Sequence, residues 1–447
     1  MEAAGRARAV YLAEAGSRRV YGYCTGLGAL QGVDAGCGGE YEDTVLEEHA
    51  AGVGPAAPGW LVRGFMAVWL SQASSGGHPV RPVVLERVAE ALQGGLVPVV
   101  PLYGSVGASG DLAPSAHVFR CILRGRGEAL LGGARLPCRE ALGALGLEPL
   151  ALEPGEALGA INNTAWSTAL AAFAVWAAGS LLEASLGVAG YTLEAAGFNP
   201  EHFSAGVEAK RHPGQARVAR RLRAVKPSRD TGRLQDPYSV RCIPQVYGAA
   251  LEALEWASRI VEREACSPTA NPTVWEGRVW HTCNFHAAYP ALAAEAASQA
   301  VLMVANAAAF RVERLMDSRV NGVSDFLAGR GSSVGAMIVQ YTTAALAAEV
   351  RGDSQPRVAH WLPTSLGWED ANPMAPGAAL RVLRMARHAS WIVAAEAVVG
   401  SLIRRARGLP DPYRVNADPR DPSGSLERAR RAVLPGDLLA VLDSLPH

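Results

Sequence analysis

The 447-residue sequence has no excess charge of either sign: 42 basic residues cancel 42 acidic ones. That argues against nucleic acid or an anionic membrane as its main partner, because both demand a basic surplus. It also lacks any CxxC pair. Its seven cysteines (24, 37, 121, 138, 242, 266 and 283) are odd in number and scattered. They read as reduced thiols of a cytoplasmic protein, with no disulfide framework. The opening "MEAAGRARAVYLAEAG" has no apolar run of the kind a secretory leader needs, so none is expected. No internal repeat, low-complexity tail or strand–helix alternation is visible. The glycines of "GSVGASG" at 104–110 are not spaced as GxGxxG, and no Lys-Ser/Thr follows, so a phosphate cradle is not expected.

What is present is alanine in long, uninterrupted segments. Helices are expected over 156–194, 238–265, 284–317, 333–352 and 375–406, separated by Gly/Pro/Ser clusters at 211–215, 267–272 and 363–377. Helices of that length pack side by side in a bundle or across subunits. Pro290 falls in the first turns of its segment and predicts a kink or a late start. Residues 165–190 carry Glu183 and are broken by Ser and Gly, so they read as a buried bundle helix, not a membrane span. The first 150 residues are more broken, with short helices expected at 43–51, 58–73 and 83–93 and an extended piece at 96–104. The basic run at 210–226 reads as a solvated helix face. The class is mainly α. Three regions are expected: 1–155, a long-helix bundle over 156–406, and a helical tail over 407–447.

Ala108-Ser109-Gly110 offers unusual chemistry. If the Gly110 nitrogen attacks the Ala108 carbonyl and Ser109 loses its hydroxyl as water, the backbone closes into 4-methylideneimidazol-5-one (MIO). Glycine leaves the nitrogen unhindered, alanine is small, and serine supplies the exocyclic methylene. Closure needs a backbone held under strain.

The motifs "YGYCTGLG" (21–28), "EEHAAGVG" (47–54), "PLYGSVGASGDLAPSAH" (101–117), "EALGAINNT" (156–164), "HPGQ" (212–215), "QDPYSVRCIPQ" (235–245), "NFH" (284–286) and "PTSLGWED" (363–370) follow in order. In that order the chain resembles the aromatic amino acid ammonia-lyases, from about residue 18 to 380. The resemblance implies the aspartase/fumarase-like all-α architecture and a homotetramer whose active sites draw on three subunits. It implies MIO formed autocatalytically from Ala108, Ser109 and Gly110, with neither metal nor pyridoxal phosphate. Tyr21 matches the base that removes the β-proton, its phenol pKa lowered by neighbouring dipoles and cations. Arg241 matches the clamp on the α-carboxylate. Asn162, Tyr238 and Gln235 match groups around the electrophile and amine, and Phe285 an aromatic packed nearby.

His49 and Glu369 match the side-chain pocket of histidine lyases, and an imidazole with a carboxylate suits a ring that hydrogen-bonds. The implied substrate is a small amino acid: L-histidine, giving trans-urocanate and ammonia. Glu48 and Trp368 depart from that pattern, where a small Ser and a Gln are usual. Lyases or 2,3-aminomutases of other aromatic amino acids therefore remain alternatives, with a catalytically silent oligomer a remote one. His281, Cys283 and His286 in "HTCNFH" carry ligand-type side chains, but 281 and 286 do not share a helical face and a fourth ligand is missing. No metal is expected there.

Overall fold

Alanine fills the longest elements, and small side chains let helices approach closely on every side. The computed structural model describes residues 1–446. Its N-terminal part carries α1 (Glu2–Ala15), α2 (Gly39–His49), α3 (Gly59–Ser74), α4 (Pro82–Gln93), α5 (Leu112–Arg124) and α6 (Cys138–Ala144). Between them run short antiparallel pieces: β1 (Val53–Ala56) beside β3 (Pro101–Tyr103), and β2 (Val97–Pro98) beside the β4 (Glu128–Leu131) and β5 (Ala134–Pro137) hairpin. Helix α5 was not foreseen, although Pro114 in its first turn and Gly125 in the left-handed conformation at its end (φ 66°) are ordinary start and stop signals.

The bundle begins with α7 (Glu156–Ile161) and α8 (Ala165–Ala196), which the sequence reading had joined. The break is made by side chains. Asn163 donates through Nδ2 to the Ala160 and Ile161 carbonyls and accepts the Ala165 N–H at Oδ1, so it ends one helix and opens the next. After α9 (Pro213–Arg223) come α10 (Tyr238–Arg241) and α11 (Ile243–Ala265). The expected helix over 238–265 is divided at Cys242, because Pro244 has no N–H to continue the ladder. The β6 (Thr273–Trp275) and β7 (Arg278–Trp280) hairpin precedes α12 (Ala288–Arg314), whose late start puts Pro290 in its first turn. Then follow α13 (Ser318–Asn321), α14 (Met337–Gly352), α15 (Ala375–Ala406), α16 (Pro422–Val433) and α17 (Gly436–Asp443).

Helix α8 lies along α15, and α12 packs on both α11 and α15. A fully buried cluster joins all four: Arg311 of α12 makes two 2.7 Å bonds to Glu396 of α15 and one of 2.8 Å to the Tyr247 hydroxyl of α11, which meets Ser185 of α8 at 2.7 Å. Removing Arg311 or Glu396 would leave the other charge buried and unpaired, at a cost of roughly 3–5 kcal/mol. The stretches Glu156–Ala196 and Ala288–Arg314 are long and apolar enough to cross a membrane, yet 61% of each such window is buried inside the protein. The arginines of α9 are mostly exposed and paired with Glu183, Glu208 and Glu255, a solvated face as read from the sequence.

One expectation is overturned. Cys24 is bonded to Cys37 and Cys121 to Cys138, with Cα–Cα separations of 4.7 and 5.3 Å. Only Cys242, Cys266 and Cys283 are free thiols. Cys24 and Cys37 meet across the single loop between α1 and α2, where the Ala35 N–H donates to the Cys24 carbonyl at 3.2 Å, and Cys121 and Cys138 meet through the α5–α6 contact. Linear spacing carries no trace of either.

Candidate active site

Residues 104–111 link β3 to α5, and the starts of three long helices close around them. The Gly107 carbonyl accepts the Ala287 N–H at the head of α12 (2.9 Å). The Val106 carbonyl accepts the Met374 N–H at the head of α15 (2.8 Å). Asp111, fully buried, accepts from Ser105 Oγ at 2.6 Å, and from the Ser167 N–H and Oγ in the first turn of α8 at 2.7 and 2.8 Å. A helix N-terminus carries about half a positive charge, so three of them draw electron density from this segment. Burial raises the Asp111 carboxyl to about 6, while its hydrogen bonds pull the other way.

The Ala-Ser-Gly turn is held where peptides rarely go. Ser109 has φ 55° and Gly110 φ 85°. A Cβ on Gly110 would come within 2.7 Å of the Asn163 nitrogen. The Ser109 carbonyl is fixed by Asn162 Nδ2 at 2.7 Å, and the Asn162 Oδ1 is occupied by the Asn271 N–H at 2.8 Å. Ser109 is a non-glycine residue in the left-handed region, so about 1–3 kcal/mol of strain resides there. The segment thus fits a backbone cyclisation: crowded, unhindered only at glycine, and bent before any chemistry.

Above it lies a cleft of about 1410 Å³ lined by Tyr21, Glu48, His49, Ala108, Ser109, Asn162, Phe285, Trp368 and Glu369, among others. Two loops form its rim. In the first, between α1 and α2, the Tyr21 hydroxyl accepts the Gly28 N–H (2.8 Å), and Tyr41 anchors the Thr25 carbonyl (2.5 Å). The second holds Glu369 by Thr364 Oγ1 (2.7 Å) and reaches the first where Ser365 Oγ accepts the Ala29 N–H (3.0 Å). His49, at the end of α2, uses Nδ1 on the Val45 carbonyl (2.7 Å), which leaves Nε2 for a ligand. Trp368 is 72% exposed. Burial raises the Tyr21 phenol pKa, and Glu369 adds to the rise; only the Gly28 N–H opposes it. That reverses the lowering expected from sequence, because within one protomer no cation acts on the ring.

The aromatic amino acid lyase model matches residues 1–413. The chain belongs to this family. It is 39% identical to a histidine ammonia-lyase of Paracidovorax citrulli over 395 residues, 86% of this chain and 77% of that protein. Among solved structures, the histidine ammonia-lyase of Trypanosoma cruzi superposes with a TM-score of 0.87 at 26% identity, covering all of this chain and 90% of that one. The tyrosine aminomutase of Streptomyces globisporus gives 0.86 at 26% identity, over 99% and 92%. The protein is a carbon–nitrogen lyase.

In this lyase Gln235, Tyr238 and Arg241 do not line the cleft. Helix α10 is anchored by Arg311, which donates to the Ser239 carbonyl (3.2 Å) near the far end of α12. The 104–111 segment is tied to Ala287 at the near end. At 1.5 Å per residue those anchors are about 36 Å apart. Tyr238 is 72% exposed, with the Arg241 guanidinium 4.6 Å over its ring. Ser239 Oγ, Arg241 Nε and Gln245 Oε1 are buried there without a partner. Among the described residues, no group of three or more His, Cys, Asp or Glu could hold a metal. Sequence reasoning passed over Asp111 and Asn271. Asp111 lies inside a quoted motif, whereas nothing in the sequence marked Asn271.

Proposed function

We propose that the protein eliminates ammonia from L-histidine to give trans-urocanate, using an MIO ring made from its own Ala108-Ser109-Gly110. The observation that carries this is the strained, helix-anchored turn sharing one cleft with His49 and Glu369. The MIO ring supplies an electrophile that makes the amine a better leaving group. Tyr21 takes the β-proton, and the Cα–N electrons leave with ammonia. Asn162 holds the Ser109 carbonyl and Phe285 packs beside it. His49 Nε2 and Glu369 receive the imidazole, with Glu48 and Trp368 at its edge.

The carboxylate clamp, Arg241, comes with Tyr238 and Gln235 from a neighbouring subunit, in a homotetramer with shared sites. Support lies in the length of α12, which holds those residues away from their own cleft, and in the unpaired polar atoms around α10. A neighbour's Arg241 also brings the cation that the Tyr21 phenol lacks in a lone protomer, lowering its pKa toward a working base.

Ultraviolet absorbance with L-histidine, L-tyrosine and L-phenylalanine tests the substrate: urocanate is expected, and no turnover of histidine overturns the reading. Mixing Ser109→Ala with Arg241→Ala chains tests sharing, since hybrid tetramers should regain activity neither parent has. A 2,3-aminomutase is the second reading, favoured by the likeness to tyrosine aminomutase. A β-amino acid product would establish it.

A further inference from the structure

His281 has no part in the chemistry above, yet it reaches the residue at its centre. Its Nε2 accepts the Tyr21 backbone N–H at 3.1 Å. Among the described residues this is the one hydrogen bond made by the Tyr21 main chain. The imidazole is itself anchored from behind. Glu14 of α1 accepts the Val279 N–H at 2.9 Å, and Arg18, just beyond that helix, donates to the Val279 carbonyl at 2.5 Å, so the end of α1 and the turn after it hold β7 by both backbone groups two residues before His281. The path runs from α1 through β7 and the imidazole to the start of the tyrosine loop. The other ties of that loop lie farther along, at Cys24, Thr25, Gly28 and Ala29.

We propose that His281 is a positioning residue that sets where the Tyr21 phenol enters the cleft. The inference rests on Tyr21 acting on substrate. An accepting Nε2 requires a neutral ring protonated at Nδ1. Around it stand Glu14 of α1 and Arg18 and Arg19 of the segment that follows, with Glu369 and Asp370 across the same cleft. Burial and Arg18 keep the imidazole pKa below its ordinary value, so the accepting form persists into mildly acidic solution. Protonation would turn the acceptor into a donor facing another donor and release the loop.

The test uses the whole enzyme with His281→Ala and His281→Gln, read by hydrogen exchange at the Tyr21 amide and by turnover of L-histidine. In His281→Ala the amide should exchange about tenfold faster, the equivalent of one lost hydrogen bond. Its kcat should fall about 10- to 100-fold with KM little changed, as for a misplaced catalytic group. Glutamine, whose Oε1 can accept, should restore protection and remove its loss in acid. Unchanged exchange in His281→Ala, or equal exchange in the alanine and glutamine variants, would overturn the proposal. A fully active Tyr21→Phe would instead overturn the role of Tyr21 and leave the exchange result standing. Retention of the mass deficit of ring closure shows that each variant folded.

Discussion

The electrophile segment and the two rim loops face the same cleft but are built on opposite terms. Residues 104–111 are tied to the heads of α8, α12 and α15 and to Asn162 and Asn163, and Asp111 within them is fully buried. The rim around 361–369 exposes Trp361, Leu362, Leu366 and Trp368, and it meets the tyrosine loop through the Ser365 hydroxyl, which accepts the Ala29 N–H. Geometry that must be strained is over-determined; geometry that must admit and release a molecule is held lightly. On the proposed function, reaction type would reside in the first region and substrate choice in the second.

The largest effect should come from breaking the rigid side. Ser109→Ala removes the source of the methylene, so the roughly 36 Da lost in ring closure should be absent from the intact mass. Activity should fall by more than ~10⁴-fold, beyond the range of a lost acid–base group, with little change in Tm. Gly110→Ala should fail in the same way and also cost about 1–2 kcal/mol in a thermal melt, because alanine is placed at positive φ against Asn163. Next comes the rim. Tyr21→Phe should lower kcat by about 10²- to 10⁴-fold while keeping the mass deficit, which separates the loop's role from that of the electrophile. A smaller change, Glu369→Gln, should reduce kcat/KM for histidine by about 10- to 100-fold and narrow its preference over phenylalanine. Equal effects on both amino acids would remove substrate choice from the rim.

The mildest perturbation sharpens the rigid side. Burial raises the Asp111 carboxyl above its ordinary 3.8 to about 6. Its favourable contribution is therefore complete below pH 4 and is lost as pH rises through 6. Against Asp111→Asn, which has no such titration, the wild type should lose about 1–3 kcal/mol of relative stability across that window. Melting curves of both proteins at pH 4.5 and 7 would show it.

Much of this was legible in the sequence for definite reasons. Alanine runs without breakers mark the bundle helices, and Pro290 marks the start of α12. The ordered motifs name the turn at 108–110 and both rim loops. What the sequence concealed depends on side chains acting across the fold. Asn163 splits a continuous apolar stretch by bonding to backbone on both sides. The pairings of Cys24 with Cys37 and Cys121 with Cys138 follow from how one loop closes on itself and how α5 meets α6. The separation of Arg241 from the cleft is set by where Arg311 grips α10 along α12, which no local pattern encodes.

The anchors of the 104–111 segment come from residues 163, 167, 287 and 374. No fragment of the chain carries them all, so the turn can be bent for closure only after nearly the whole polypeptide has reached its native arrangement. Loss of two waters is not undone by later unfolding. On the proposed ring closure, the mass of a denatured chain keeps a record of its past: molecules lighter by two waters were once native, while those at full weight either never folded or folded without closing. In a preparation of mixed quality, the lighter fraction sets a lower bound on the molecules that folded, readable after the folds themselves are gone.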